Sequence, residues 1–278
     1  MNGRRAVVGL CMLCALLVSA FAAQSASAIK GTTAVTCKSG EGDTGGATFN
    51  EAHCKPSSPS GSFGHYKINE NTTTELTGDN AGAPTKLKAT LGGVATTLTS
   101  SKLTGTGSME NRVEPNGEHY VHGEGHITYE EVLINPFSKC FVYEDTEPGI
   151  GTQNVIKTQE LTATTTGQGD GLKFQPTVGT VFARFWILDK NKKTSAEGGE
   201  CTISGTYSVS GSLIAKPDGA TANTTHAEVT EQNTLKMGTG EPTIKAGLEG
   251  SLTIKGKHPG IGGDTFKPLS VTTYATNT

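Results

Sequence analysis

Apolar and polar residues alternate along much of the chain. Tyr207, Val209 and Leu213 share one face of an extended run, with serines between them. Leu248, Leu252 and Ile254 repeat the arrangement up to Lys255, and Val121, Ile127 and Tyr129 repeat it around Gly123 and Gly125. A period of two is the pattern of a half-buried strand with one wet face. The run Val181-Phe182-Ala183-Arg184-Phe185-Trp186-Ile187-Leu188 is apolar on both faces apart from Arg184, and predicts a central strand covered on both sides. No helical period of any length is found.

Turn residues separate these runs at Gly40 to Gly46, Pro56 to Gly64, Pro115-Asn116-Gly117, Lys190 to Gly199 and Gly260 to Asp264. Short strands between frequent turns predict an all-β fold, an antiparallel β-sandwich or barrel-like sheet. Gly125, Gly211 and Gly250 each interrupt an alternating run. A glycine inside a strand marks a bulge, a bend or a close backbone approach.

The first 28 residues do not fit this pattern. Arg4 and Arg5 precede an apolar run from Ala6 to about Ala23, and Ala26-Ser27-Ala28 matches a small-residue cleavage site. That is the signature of a secretory signal peptide. Cleavage before Ile29 leaves 250 of the 278 residues and moves the formal charge from −3 to −5. The expected organisation is a signal peptide over 1–28, a Gly-rich arm or cap over 29–64, and an all-β domain of one or two packed sheets over 65–278. The expected product is secreted, or held at the cell surface, with no membrane span after cleavage. Its acidic balance gives no reason to expect nucleic acid as a partner.

Four cysteines remain after cleavage: Cys37, Cys54, Cys140 and Cys201. An even count in an exported chain predicts two disulfides, with three possible connectivities. Pairing sequence neighbours closes the least costly loops, so Cys37–Cys54 and Cys140–Cys201 are expected. The first would staple the N-terminal loop.

Catalytic chemistry is sparse. His119, His122 and His126 lie close together with Glu118 and Glu124. In a strand His122, Glu124 and His126 share a face, a set able to ligate a divalent cation. The apolar residues of that strand lie opposite, so a solvated polar face is the competing account, and truncating His122 and His126 is expected to change little. Asp189 to Glu200 spaces its oxygens like a calcium loop, but Lys193 and Thr194 stand where a ligand and a sharp-turn glycine belong. Nucleophile elbows and phosphate-cradling loops are absent. Glu130-Glu131 and Glu144-Asp145 could serve a glycosidase only if two carboxylates flank a groove.

The run Gly171-Leu172-Lys173-Phe174-Gln175-Pro176 through Gly179 to Phe185, then Cys201 and Gly205-Thr206-Tyr207, together with the Cys37 to Cys54 loop ahead of Gly64-His65-Tyr66, resembles uncharacterised secreted Thr/Gly-rich β-proteins of soil actinobacteria. The resemblance implies a compartment and no residue roles.

These readings combine into an exported, non-catalytic β-protein that acts as an extracellular or cell-surface binding or structural module. It needs no cofactor, and its partner class would be a cell-wall or extracellular glycan. A secreted carbohydrate-active or metal-dependent hydrolase is the alternative.

Overall fold

Threonine and glycine make strands that can be exposed on one face and bend where they must, and the computed structural model uses both properties. It describes residues 31–273 except 41, 43–48, 51–57, 59, 81–82, 147–148, 166–170, 216–234, 251 and 258–265. Residues 1–28, where a signal peptide is expected, therefore lie outside the described residues, and so does Cys54. Every ladder between strands is antiparallel. The only helical element among the described residues is a short 3-10 turn, Ser195–Glu197.

In chain order the strands begin with β1 (Thr32–Ser39), β2 (Phe63–Lys67), β3 (Thr74–Asn80) and β4 (Thr85–Leu91). Two long strands follow, β5 (Val94–Val113) and β6 (His119–Asn135), which form a hairpin paired along its length. Then come β7 (Phe141–Asp145), β8 (Ile150–Gln153), β9 (Ile156–Lys157), β10 (Leu161–Thr165), β11 (Leu172–Pro176) and β12 (Val181–Leu188). The last six are β13 (Gly205–Ser210), β14 (Leu213–Ala215), β15 (Leu235–Gly238), β16 (Ile244–Glu249), β17 (Leu252–Lys257) and β18 (Phe266–Thr273).

The long hairpin belongs to two sheet regions. Near its open end β5 pairs with β4, and the ladder continues through β16, β15, β13 and β12 to β7 and β8. Near its turn β5 pairs with β3, continuing through β17, β18 and β1 to β2, while β6 pairs with β10 and through it with β11 and β14. In the first region the sheet curls back on itself. β6 pairs with β9, and Thr158, just after β9, makes an isolated bridge to Ala183 of β12. That link is one bridge with one neighbouring hydrogen bond, Gln159 N to Phe182 O, and not a continuous ladder, so a closed barrel is not seen.

A change of face halfway along the hairpin keeps its core side buried. In β5 the buried positions are Thr96, Leu98 and Ser100, then Leu103, Gly105, Met109 and Asn111. In β6 they are Val121, Gly123 and Tyr129, then Val132 and Ile134. The parity changes in both strands at Ser101 and Glu131, where Glu131 adopts φ 54° and the Ser101 hydroxyl donates to its carboxylate. Period-two alternation would otherwise turn one half of the hairpin inside out. Between Ser101 and the turn, Gly107 and Gly125 are direct partners. A Cβ on Gly107 would lie 2.2 Å from the Glu124 carbonyl oxygen, so this close approach needs glycine.

Two of the expected strands are each split by a glycine. The run Tyr207 to Leu213 hands over at Gly211, φ 119°, from β13, which pairs with β12, to β14, which pairs with β11. The run Leu248 to Lys255 hands over at Gly250 from β16 on β4 to β17 on β3. A Cβ on Gly250 would come within 2.6 Å of Thr85 Oγ1. These glycines switch strand partners, a larger change than a bend. The Val181–Leu188 strand is central, between β13 and β7, with Phe185 and Ile187 fully buried. Its second face is only partly covered: Trp186 Nε1 lies 3.4 Å from Asp145 Oδ1, and Arg184 lies 3.8 Å from the other carboxylate oxygen.

The expected Cys140–Cys201 disulfide is present, joining residues 61 apart in sequence. It ties the start of β7 to the loop after β12. Cys37, in β1, is buried and also disulfide-bonded, while its expected partner Cys54 is not described. β1 is held to the sheet from a second side by Asn111 of β5. The Asn111 carboxamide accepts from Ala34 N at 2.8 Å and donates to Ala34 O at 3.0 Å and Ile68 O at 2.8 Å. β2 pairs with β1 only from Val35 onward, so Asn111 acts as the missing strand beside Ala34.

Replacing Asn111 with Ala leaves those three buried backbone groups unpartnered. At about 1–3 kcal/mol for each unsatisfied group, the variant is expected to lose on the order of 3 kcal/mol, read as a lower urea midpoint at unchanged slope. His65 in β2 gives a pH dependence. Burial holds its imidazole below the ordinary value of 6.5, its Nε2 has no hydrogen-bond partner, and its ring lies 4.6 Å from that of Phe49. Below pH 6.5 the unfolded chain takes up a proton that the folded chain resists, so stability falls as pH drops through that value and levels off below the folded pKa. Urea midpoints from neutral to mildly acidic pH should show this slope in the wild type and a smaller one in His65→Phe.

Candidate functional site

Three glutamates that the sequence placed on different faces or strands line one open groove. The groove lies on the outer side of β5, β6, β7, β8 and β9 and has a volume of about 780 Å³. Its walls carry Glu130, Glu131 and Glu144, the hydroxyls of Thr99, Ser101 and Thr128, and the amides of Gln153 and Asn154. Adjacent residues of a regular strand point to opposite faces. Glu131 escapes this rule because of its left-handed backbone, which brings it to the same groove as Glu130.

Local geometry engages part of this set. Lys102, directly opposite Glu130 in the hairpin, pairs with its carboxylate. Asn154 is the second left-handed residue of the groove, at φ 62°. Its backbone joins two strands: Asn154 N donates to Val142 O of β7 at 2.6 Å, and Val132 N of β6 donates to Asn154 O at 2.9 Å. Its side-chain Oδ1 is buried with no hydrogen-bond partner. Non-glycine residues with positive φ are uncommon and cluster at ligand-binding sites. Leu133, 65% exposed, adds an apolar surface to the rim.

The structure brings only part of the histidine cluster together. His122 Nε2 lies 3.1 Å from Glu124 Oε1, while His126 Nδ1 is 3.3 Å from the carbonyl oxygen of Thr158. His119 pairs instead with Glu70 at 3.2 Å. Among the described residues no group of three His, Cys, Asp or Glu side chains is placed to hold a metal ion. The calcium-like loop has an internal use for its first carboxylate. Asp189 Oδ1 accepts from Asn191 N at 2.9 Å and Lys193 N at 2.8 Å, and these backbone donors, Lys193 first, hold its carboxyl below the usual range. Tyr143 donates to the Asp189 carbonyl, and Thr194 and Glu197 form a capping box at the following turn.

Thr158 was not singled out in the sequence. It is buried, its N and Oγ1 both bond the backbone of Ile127 at 2.9 Å, and its carbonyl faces His126. A lone threonine between short strands carries no sequence signal for this role. The groove was equally hard to see, because its residues come from separate strands and two depend on positive φ.

No family model, curated protein or solved structure matches the chain. No helix among the described residues is long and apolar enough to cross a membrane.

The histidines can be tested against their neighbours. The His122 side chain is only 14% exposed and so does not sit on the fully solvated face that the alternation suggested. His122→Ala should cost on the order of 1 kcal/mol, through lost packing and the contact to Glu124. His126→Ala should cost on the order of 1 kcal/mol, through the bond to Thr158 O. A chelator should leave the wild-type thermal midpoint unmoved. A fall of several degrees that the double variant does not show would instead reveal a bound metal.

Proposed function

We propose that this protein is an exported, non-catalytic binding module that holds a polyhydroxylated chain, an extracellular or cell-wall glycan, in the groove over β5–β9. The observation that carries this reading is the groove itself: an open channel of about 780 Å³ in which carboxylates, amides and hydroxyls converge. Such groups accept and donate to sugar hydroxyls, and the unpartnered Asn154 Oδ1 offers an acceptor whose desolvation cost the fold already bears. The three glutamates favour a glycan that also carries amines. Export rests on the N-terminal signal pattern and on the disulfide chemistry. We infer the second staple, Cys37–Cys54, from the oxidised state of Cys37 and the proximity of Cys54 in sequence. The architecture that accompanies this reading is a barrel-like curled sheet rather than two separate sandwich layers.

One observation favours a hydrolase as the second reading. Glu144 lines the same groove as Glu130 and Glu131, so carboxylates from different strands flank one channel, as a glycosidase needs.

A single experiment separates the two. Secreted protein, with its mass checked for a start at Ile29 and for two disulfides, is screened on a glycan array and incubated with each oligosaccharide it binds. Binding of amino-sugar oligomers that are recovered intact, weakened about tenfold in Glu144→Gln and Asn154→Ala, is the expected result. Cleaved products that vanish in Glu144→Gln establish the hydrolase. Retention of the leader in a membrane fraction, or no glycan bound by folded protein, overturns the proposal.

A further inference from the structure

The outer face of β4, β15 and β16 carries a row of lysines that is only partly neutralised, on a protein that is acidic overall. Lys236 of β15 and Lys245 of β16 are direct cross-strand partners, both exposed. Like charges directly opposite each other destabilise a sheet. No described ion pair relieves them. One strand further, Lys88 is the cross-strand partner of Gly247, and Lys86 of Glu249. The single carboxylate in the row, Glu249, is shared between Lys88 at 2.6 Å and Lys86 at 3.3 Å, and those lysines, Lys88 first, hold it below the usual carboxylate range. Four ammonium groups thus meet one carboxylate.

The row surrounds a recess. Lys88, Thr90, Thr97, Lys245, Gly247 and Glu249 line a groove of about 310 Å³. Its floor includes Gly247, where an added Cβ would meet nothing within 4 Å. The glycine is therefore not required by packing. A side chain there would instead fill the space between Lys245 and Lys88.

We propose that this face is a second binding site, distinct from the glutamate-lined groove, for an anionic polysaccharide. Lys236 and Lys245 stand about 4.8 Å apart in the pairing direction, with Lys88 offset by two residues on the next strand, so the ammonium groups form a staggered line that a linear chain with repeated charges can follow. Thr90 and Thr97 add hydroxyls for the uncharged part of the sugar. The one large apolar residue of the recess lining, Leu248, is buried in the core and offers nothing to insert into a lipid surface. The recess lining has no aromatic side chain on which a nucleic-acid base could stack. An anion seated between Lys236 and Lys245 would replace their repulsion with attraction.

Full-length secreted protein is titrated with dextran sulfate and with neutral dextran of equal length, at low and high salt. The expected result is binding to the sulfated polymer alone, weakening with salt, and reduced about tenfold or more in Lys236→Gln/Lys245→Gln. Without polymer, that double variant should unfold no earlier than the wild type, because it loses a repulsion. Lys236→Glu, which converts the repulsive pair into an attractive one, should be at least as stable and equally poor in binding. Equal affinity of wild type and both variants, equal binding of neutral dextran, or no binding at low salt overturns the site. Tighter binding of duplex DNA or anionic vesicles overturns the polysaccharide assignment.

Discussion

The β5–β6 hairpin is the constraint on which the other elements depend. It runs from Val94 to Asn135, and both sheet regions hang from its edges, β4 near the open end, β9 midway along β6, and β3 and β10 toward the turn. A ladder this long must keep one side toward the core while the sheet around it curls. The paired change of face at Ser101 and Glu131 achieves that, so that Leu98 and Leu103 both reach the core although an even number of residues lies between them, which in a regular strand would put them on opposite faces. Glu131 is displaced onto the outer groove by the same irregularity. The feature that allows the core to be continuous thus also shapes the candidate site.

Curling brings strand edges near each other without full ladders between them, and polar side chains complete the joins. Asn111 stands in for a strand beside Ala34, Thr158 bonds Ile127 twice and reaches β12, and Asn154 links β6 to β7 through its backbone. A buried backbone group without a partner costs about as much as a lost hydrogen bond, so these joins cannot be left open. The outer wall between the joins is divided by charge. Lysines of β15, β16 and β4 lie on one side of the β5 threonines Thr97 and Thr99, and the glutamates of β6 and β7 lie on the other. This arrangement gives two recesses of opposite sign on one sheet.

Several elements were legible in the sequence because they rest on local rules. Alternation around Val121, Val209 and Leu252 marked real strands, since one-sided burial imposes period two wherever a sheet has a wet face. Cys140 and Cys201 could be paired from count and separation. The glycines at 125, 211 and 250 were visible as interruptions, but not the ladder changes at 211 and 250, because a partner switch depends on which strand lies alongside. The glutamates were visible as residues but not as a groove.

By itself, the sequence determined the strand class and the apolar faces, and it favoured the Cys140–Cys201 link among three possible connectivities. Each follows from short-range periodicity, residue chemistry or count. Tertiary structure alone decided the order of pairing, the curl of the sheet, the meeting of Glu130, Glu131 and Glu144, and the lysine row across β15, β16 and β4. These depend on contacts between residues far apart in sequence, such as Lys88 with Glu249 and Thr32 with Thr273, and alternation specifies which face a side chain takes but not which strand will lie beside it.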